Sequence, residues 1–283
     1  LERMASHCFG RGPRPMTGAA VLMLVLVVEG CGGGRGGGTA TPVSPTPTTP
    51  PSLPAGGACG ALSGATGIAD SIVNGTTCSS SNTPVALLNL RDQNGRASGS
   101  CSGTVIARRA VLTAAHCLVG DIGSVLVDQG GVLVRAVSFH AISGYRANDL
   151  SSLDVGVVIT GEDLGRPVVP LLLSRDARIN ETAVIAGWGK DQFADALILR
   201  AAATTIAVAG VYFLETQVSS TGSGVCSGDS GGPILLSEGG VWAVAGVTSA
   251  SSTGGSCIAG TNYFTNVRNA DVSAFVLGLV PDA

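Results

Sequence analysis

Charge is scarce in this chain. Only 12% of its 283 residues are Asp, Glu, Lys or Arg, and the net charge is −3 with no basic or acidic block. A nucleic-acid surface needs clustered Lys and Arg, so that class gains no support. Cysteine pairs of the C-x-x-C type are absent. The eight cysteines stand apart as Cys8, Cys31, Cys59, Cys78, Cys101, Cys117, Cys226 and Cys257. That spacing speaks against a zinc site or a thioredoxin-type redox motif, and for an exported protein held by disulfides. Long apolar runs are missing as well. The run from Ala19 to Val28 is ten residues, half of the roughly 20 that a membrane-spanning helix needs. There is no internal repeat. Histidine occurs three times only, as His7, His116 and His140.

What is abundant is apolar and turn-forming. Hydrophobic residues make up 45% of the chain and glycine 42 positions, enough for a core and for many turns in an all-β chain. Short apolar runs alternate with Gly, Ser, Asn and Asp clusters from about Ile72 onward. Examples are Val85–Leu90, Val111–Thr113, Val132–Val137, Val155–Thr160, Ala183–Ala186, Pro233–Leu236 and Val241–Val247. Strands at such spacing predict a sandwich or a barrel. Val272, Phe275, Val276 and Leu279 fall at helical spacing and predict a short helix over Ala270–Leu279.

The N-terminal segments read differently. Residues 1–31 have Arg11 and Arg14 ahead of the apolar run, the pattern of a signal peptide. Met4 is the expected start. The run ends in Val28-Glu29-Gly30-Cys31, which resembles a bacterial lipobox whose cysteine, Cys31, is lipidated; the alternative is an ordinary signal peptide cut nearby. Residues 32–71 follow as tether and propeptide. Gly32–Gly38 is nearly all glycine and Thr39–Pro54 is rich in Thr and Pro, compositions that stay flexible or extended and build no core.

Chemistry enters with Gly228-Asp229-Ser230-Gly231-Gly232. This is the G-x-S-x-G pattern of α/β-hydrolases, but that fold places its histidine after the serine. Here every histidine precedes Ser230, and no Asp in an apolar strand precedes His116 as the subtilisin order requires. The order His, Asp, Ser remains. A serine hydroxyl needs an adjacent base, and His116 in Thr113-Ala114-Ala115-His116-Cys117 suits that task better than His140, which has no motif around it. Asp154 enters an apolar run, Asp154-Val155-Gly156-Val157-Val158, where a buried carboxylate needs a strong partner. Asp121 is the second choice.

Together these segments resemble the chymotrypsin/trypsin-like serine proteases. The landmarks are the His116 and Asp154 segments, Gly187-Trp188-Gly189, Cys226–Pro233 around Ser230, and Ile72-Val73-Asn74-Gly75 as a mature N-terminus. The resemblance runs from residue 72 to about 280 and makes 72–283 the protease domain. It implies two six-stranded antiparallel β-barrels with a short C-terminal helix, and a serine endopeptidase with His116, Asp154 and Ser230 as its triad. The backbone N–H groups of Gly228 and Ser230 would form the oxyanion hole. Alternatives are a catalytically silent binding protein of the same fold, or an esterase.

Further roles follow from the same resemblance. Gly224 falls at the base of the specificity pocket, Ser249-Ala250-Ser251 form its wall, and Asn262 faces the same cavity. With no charge at Gly224, a preference for small or medium uncharged side chains is expected. The implied disulfides are Cys101–Cys117 and Cys226–Cys257. Cys59–Cys78 is the simplest third pair, with free thiols as the alternative. Activation would cut before Ile72 and pair its new ammonium with Asp229. The expected partners are protein or peptide substrates and protein inhibitors of proteases. The protein is expected to be monomeric, with no cofactor, no metal, no nucleic acid, and a membrane only through the lipid on Cys31.

Overall fold

The computed structural model describes residues 53, 57–62, 68–69, 75–80, 82–128, 131–191, 197–218, 222–252 and 257–283. The leader, Cys31, the Gly/Thr/Pro segment as far as residue 52, Ser71 and Ile72 lie outside them. The helical turn α1 (Gly57–Gly60) comes first, then the short strands β1 (Ile68–Ala69) and β2 (Thr76–Thr77). The first barrel holds β3 (Val85–Arg91), β4 (Ala97–Ala107), β5 (Ala110–Thr113), β6 (Ser124–Asp128), β7 (Leu133–Ala141) and β8 (Gly156–Thr160). It closes in the order β3-β4-β5-β8-β7-β6. The second barrel holds β9 (Thr182–Gly187), β10 (Arg200–Ala209), β11 (Phe213–Val218), β12 (Pro233–Glu238), β13 (Val241–Ser251) and β14 (Gly260–Asn266). Its order is β10-β11-β14-β13-β12-β9, closed by the pairing of β9 with β10. Every ladder in the two barrels is antiparallel. The all-β, two-barrel fold is therefore as the resemblance implies, and helix α2 (Ala270–Leu279) has the bounds that the spacing predicts.

The sequence explains the elements. In β5 all four residues are buried, which is why Val111–Thr113 reads as an unbroken apolar run. Strand β7 alternates instead, with Val134 buried between exposed Leu133 and Arg135, the period-two pattern of a strand with one wet face. Helix α2 starts at Asn269, whose side chain accepts hydrogen bonds from the N–H groups of Asp271 and Val272. A cap of this kind satisfies backbone donors that would otherwise lack partners. Val272 and Val276, one turn apart, are fully buried.

The folded body begins before residue 72. Cys59 and Leu62 are fully buried, with Ala58 and Ala61 nearly so, and all four belong to the same core as β3 and β5. Burying one leucine is worth about 1.5–3 kcal/mol. Cys59 is also bonded to Cys78. Strand β1 pairs with β2, and β2 adds to the edge of β10. Residues 57–62 thus pack as part of the domain, although they fall within the segment read from the sequence as tether and propeptide.

Candidate active site

Two strands of the first barrel bring His116 and Asp154 to one end. Antiparallel pairing sets Thr113 of β5 opposite Gly156 of β8. His116 follows three residues after Thr113, in the 3-10 turn Ala115–Cys117, and Asp154 precedes Gly156 by two. The turn packs closely on β8: a Cβ on Gly156 would come within 2.5 Å of Leu118 Cδ1. Asp154 is 3% exposed, and three donors surround its carboxylate. His116 Nδ1 lies 2.7 Å from Oδ2, the His116 backbone N–H donates to Oδ1 at 2.9 Å, and Ser249 Oγ donates to Oδ2 at 2.7 Å. A carboxylate at Nδ1 holds that nitrogen as the donor and leaves Nε2 as the acceptor. Beside them, burial and the charge of Asp154 both push the Tyr145 hydroxyl above its ordinary pKa.

Ser230 comes from the second barrel, three residues before β12. Its loop is pinned to the turn that carries His116. The Ser230 carbonyl accepts from Ser102 N–H at 2.8 Å and lies 3.9 Å from the sulfur of Cys117. Gly231, with φ 82°, has no room for a side chain: a Cβ there would meet Thr113 Oγ1 at 2.1 Å and Ala114 N at 2.9 Å. A cavity of about 200 Å³ opens beside Ser230 and is lined by Ser249, Ala250 and Ser251. A second, of about 320 Å³, contains His116 and Asp154 and shares Ser249 and Ala250 as a wall. The expected catalytic residues therefore line two adjoining cavities, Ser230 the first and His116 with Asp154 the second, with Ser249 and Ala250 common to both. Among the described residues, no acceptor takes the backbone N–H of Gly228 or of Ser230.

The other expected positions divide. Cys101–Cys117 and Cys226–Cys257 are bonded, as is Cys59–Cys78. Ser249 and Ser251 line the cavity with Thr248 and Val225. Gly224 and Asn262 stand behind that lining. A Cβ on Gly224 would meet Val218 at 2.8 Å. Asn262 is fully buried; its amide donates to Thr216 Oγ1 at 3.0 Å and accepts from Val225 N–H at 3.4 Å. Its polar atoms are therefore spent beneath the cavity rather than turned into it. His140 and Asp121 are both exposed, and neither lines the cavity that contains His116 and Asp154. One ring nitrogen of His116 lies within 4.8 Å of the sulfurs of Cys101 and Cys117, but these are bonded to each other and supply no thiolate for a metal.

Asp229 is 1% exposed and wrapped by the Gly187-Trp188-Gly189 segment. Gly189 N–H donates to Oδ1 and Cys226 N–H to Oδ2, each at 2.8 Å. Burial outweighs these bonds and the nearby Arg200, and pushes the carboxyl up to about 6. Side chains on Gly187 or Gly189 would collide with this group, their Cβ atoms falling 2.2 Å and 2.5 Å from its Oδ1 and Cγ.

Sequence reasoning missed several residues around this site. Arg200 and Asp191 form a buried ion pair at 3.0 Å behind Asp229, and Arg200 also donates to the Gly189 carbonyl. Strands 200–209 and the loop at 191 meet only in the fold, so no spacing signals them. Ser102 was missed as well; adjacency to Cys101 was its one cue.

A family model described as Trypsin matches residues 72–271. The chain belongs to the trypsin family. Trypsin theta of Drosophila erecta is 29% identical over 172 residues, covering 51% of this chain and 65% of that relative. Fibrinolytic enzyme, isozyme C, of Lumbricus rubellus is 27% identical over 223 residues, covering 66% of this chain and 91% of the relative. The chain thus spans about two thirds of the Drosophila trypsins it matches, at 65% and 64% of their lengths. Among solved structures, HL collagenase superposes with a TM-score of 0.62 at 23% identity, over 74% of this chain and 99% of that one. Human heparin binding protein gives 0.57 at 22%, over 75% and 98%. These structural likenesses show the trypsin-family fold.

Proposed function

We propose that this trypsin-family chain is a serine endopeptidase that cuts peptide bonds through an acyl-enzyme. The observation that carries the reading is the buried Asp154 carboxylate holding His116 Nδ1 at 2.7 Å, in a cavity that shares the Ser249–Ala250 wall with the one Ser230 lines. In this reading His116 Nε2 takes the Ser230 proton as Oγ attacks the substrate carbonyl. The N–H groups of Gly228 and Ser230 receive the developing oxyanion, and the imidazolium is stabilised by Asp154. Collapse breaks the C–N bond, and His116 gives its proton to the leaving amine. Water, deprotonated by the same imidazole, then releases the acid and restores Ser230. No metal or cofactor takes part.

Among the described residues, the lining of the cavity of about 200 Å³ beside Ser230 carries no charge. It suits a small or medium uncharged side chain on the acyl side of the cut. Three disulfides fit an oxidising compartment, in keeping with export behind the residue 1–31 leader. Activation by a cut at Ser71–Ile72, and lipid attachment at Cys31, complete the proposal. Cys31→Ala should abolish partitioning with membranes.

The test is turnover of a peptide substrate by Ser230→Ala, His116→Ala and the double variant, each checked for folding. Each single change should lower kcat by several orders of magnitude, and the double no further. Near-normal turnover by a folded single variant contradicts the assignment. A silent binding protein would instead show no turnover in the parent and no labelling of Ser230 by a phosphonyl probe; an esterase would cleave esters and spare peptides.

A further inference from the structure

We propose that the Ser102 hydroxyl is a positioning group for the oxyanion loop, clamping it across the two barrels. Ser102 lies on β4 of the first barrel and is fully buried. Four hydrogen bonds surround it. Its N–H donates to the Ser230 carbonyl at 2.8 Å, and its own carbonyl accepts from Thr113 Oγ1 at 2.8 Å. Its Oγ accepts from Trp188 N–H at 2.9 Å and donates to the Gly228 carbonyl at 2.8 Å. Since the Trp188 amide can only donate, the single hydroxyl proton is committed to Gly228. One buried side chain therefore joins β4 to two separate segments of the second barrel, the loop that carries Ser230 and the Trp188 segment that wraps Asp229.

The consequence falls on Gly228. This residue sits at φ 100°, where glycine has no side chain to restrict its two dihedrals. Its N–H points usefully only if the flanking peptides are fixed. The peptide before it is held through Ser227, whose carbonyl accepts from Lys190 N–H at 2.9 Å. The peptide after it is held at both ends: Asp229 N–H donates to the Cys226 carbonyl at 3.0 Å, and the Gly228 carbonyl is taken by Ser102. Trp188 and Lys190 belong to one short segment, so the hydroxyl steadies both anchors together. Removing it frees the Gly228 carbonyl to turn and loosens Trp188–Lys190. The Gly228 N–H then leaves its aim at the developing oxyanion, while the opposite wall of the cavity beside Ser230, Ser249–Ser251, keeps its place.

The proposal rests on reading Gly228 and Ser230 as the oxyanion donors, and two substitutions separate its fate from that of the reading. Ser102→Ala keeps Cβ and removes only Oγ, leaving a gap smaller than a water. Ser102→Gly vacates a space of about one water, which can restore part of the bridge. Deleting a donor outright costs about 10²–10³ in kcat. Misaiming one should therefore lower kcat about 10- to 100-fold in the alanine variant, with KM within about twofold. The glycine variant should lose less, about 3- to 10-fold. Binding of a peptide boronic acid, whose tetrahedral adduct uses the same donors, should weaken in the same order. Thermal midpoints should run the other way, because glycine in a strand is the less stable of the two. A purely structural role would follow the thermal order, so activity tracking stability overturns the proposal. So does a kcat within twofold of the parent in either folded variant. Glycine adds no atom, and it alone decides the matter if alanine does not fold. Ser230→Ala is assayed alongside. If it retains turnover, the reading of the site fails; if it abolishes turnover while both Ser102 variants match the parent, only the clamp fails.

Discussion

The buried Asp229 carboxyl should make the uncut chain more stable in mild acid than at neutral pH. Two backbone amides serve it, from Gly189 and Cys226, and burial still raises it from 3.8 to about 6. The folded value lies above the unfolded one, so folding favours the protonated form. The associated stability is fully present below about pH 4 and is lost as pH rises through about 6. A shift of about two units corresponds to ~3 kcal/mol. The opposite case, Asp149, is lowered to about 2 by the hydroxyl and amide of Ser151 and by Arg146; its contribution is lost only as pH falls well below 4, outside this window. The assay is urea unfolding of Ser230→Ala protein, which cannot digest itself, at pH 4.5 and 7.5. Uncut chain should unfold at higher urea at pH 4.5. Chain cut at Ser71–Ile72 should lose that preference or reverse it, because an ammonium reaching Asp229 favours the carboxylate. Equal pH dependence in cut and uncut protein would refute the reasoning, as would a flat profile between pH 4 and 6 in the uncut chain.

Three further outcomes are expected. Asp154→Asn should lower kcat by about 10⁴, because an amide beside Nδ1 favours the wrong tautomer; a loss under tenfold in folded protein would remove Asp154 from its role. Replacing Cys59 and Cys78 together by serine should cost about 3 kcal/mol in denaturant unfolding, given a loop of 19 residues. With both cysteines present, chain cut at Ser71–Ile72 should stay joined on a gel until reductant is added; separation without reductant would contradict the tether. Gly224→Asp should not create cleavage after Arg or Lys, because its Cβ would meet Val218 at 2.8 Å; a peptide-library profile checks this, and efficient cleavage after basic residues would show the wall to be yielding.

Legibility followed the physics of each element. Runs such as Val155–Thr160 and Ala183–Ala186 were readable because their apolar residues pack into barrel interiors, and the α2 stripe because Val272 and Val276 repeat at one turn. Strand β4 hid itself. Its sequence ASGSCSGTVIA is mostly small and polar, yet Cys101–Ile106 is wholly buried because the strand runs beneath the Ser230 loop and spends its polar groups there. Strand β14, GTNYFTN, is similar, with Asn262 and Thr265 fully buried. His116, Asp154 and Ser230 were legible since each carries its local motif with it. Ser102, Val218 and the Arg200–Asp191 pair matter through contacts between distant segments, and nothing local marks them. Leu62 reads as part of a linker until Cys59–Cys78 places it against the core.

The most direct test of the central claim is the site of attack by a phosphonyl fluoride. Protein cut at Ser71–Ile72 is treated with the probe, digested, and mapped by mass spectrometry. A single adduct on Ser230 is expected, formed orders of magnitude more slowly in Asp154→Asn and His116→Ala and absent in Ser230→Ala. Peptidase activity should fall in step with labelling. An active protein that leaves Ser230 unlabelled, or that carries the adduct on another residue as activity is lost, would contradict the assignment of Ser230 as the nucleophile.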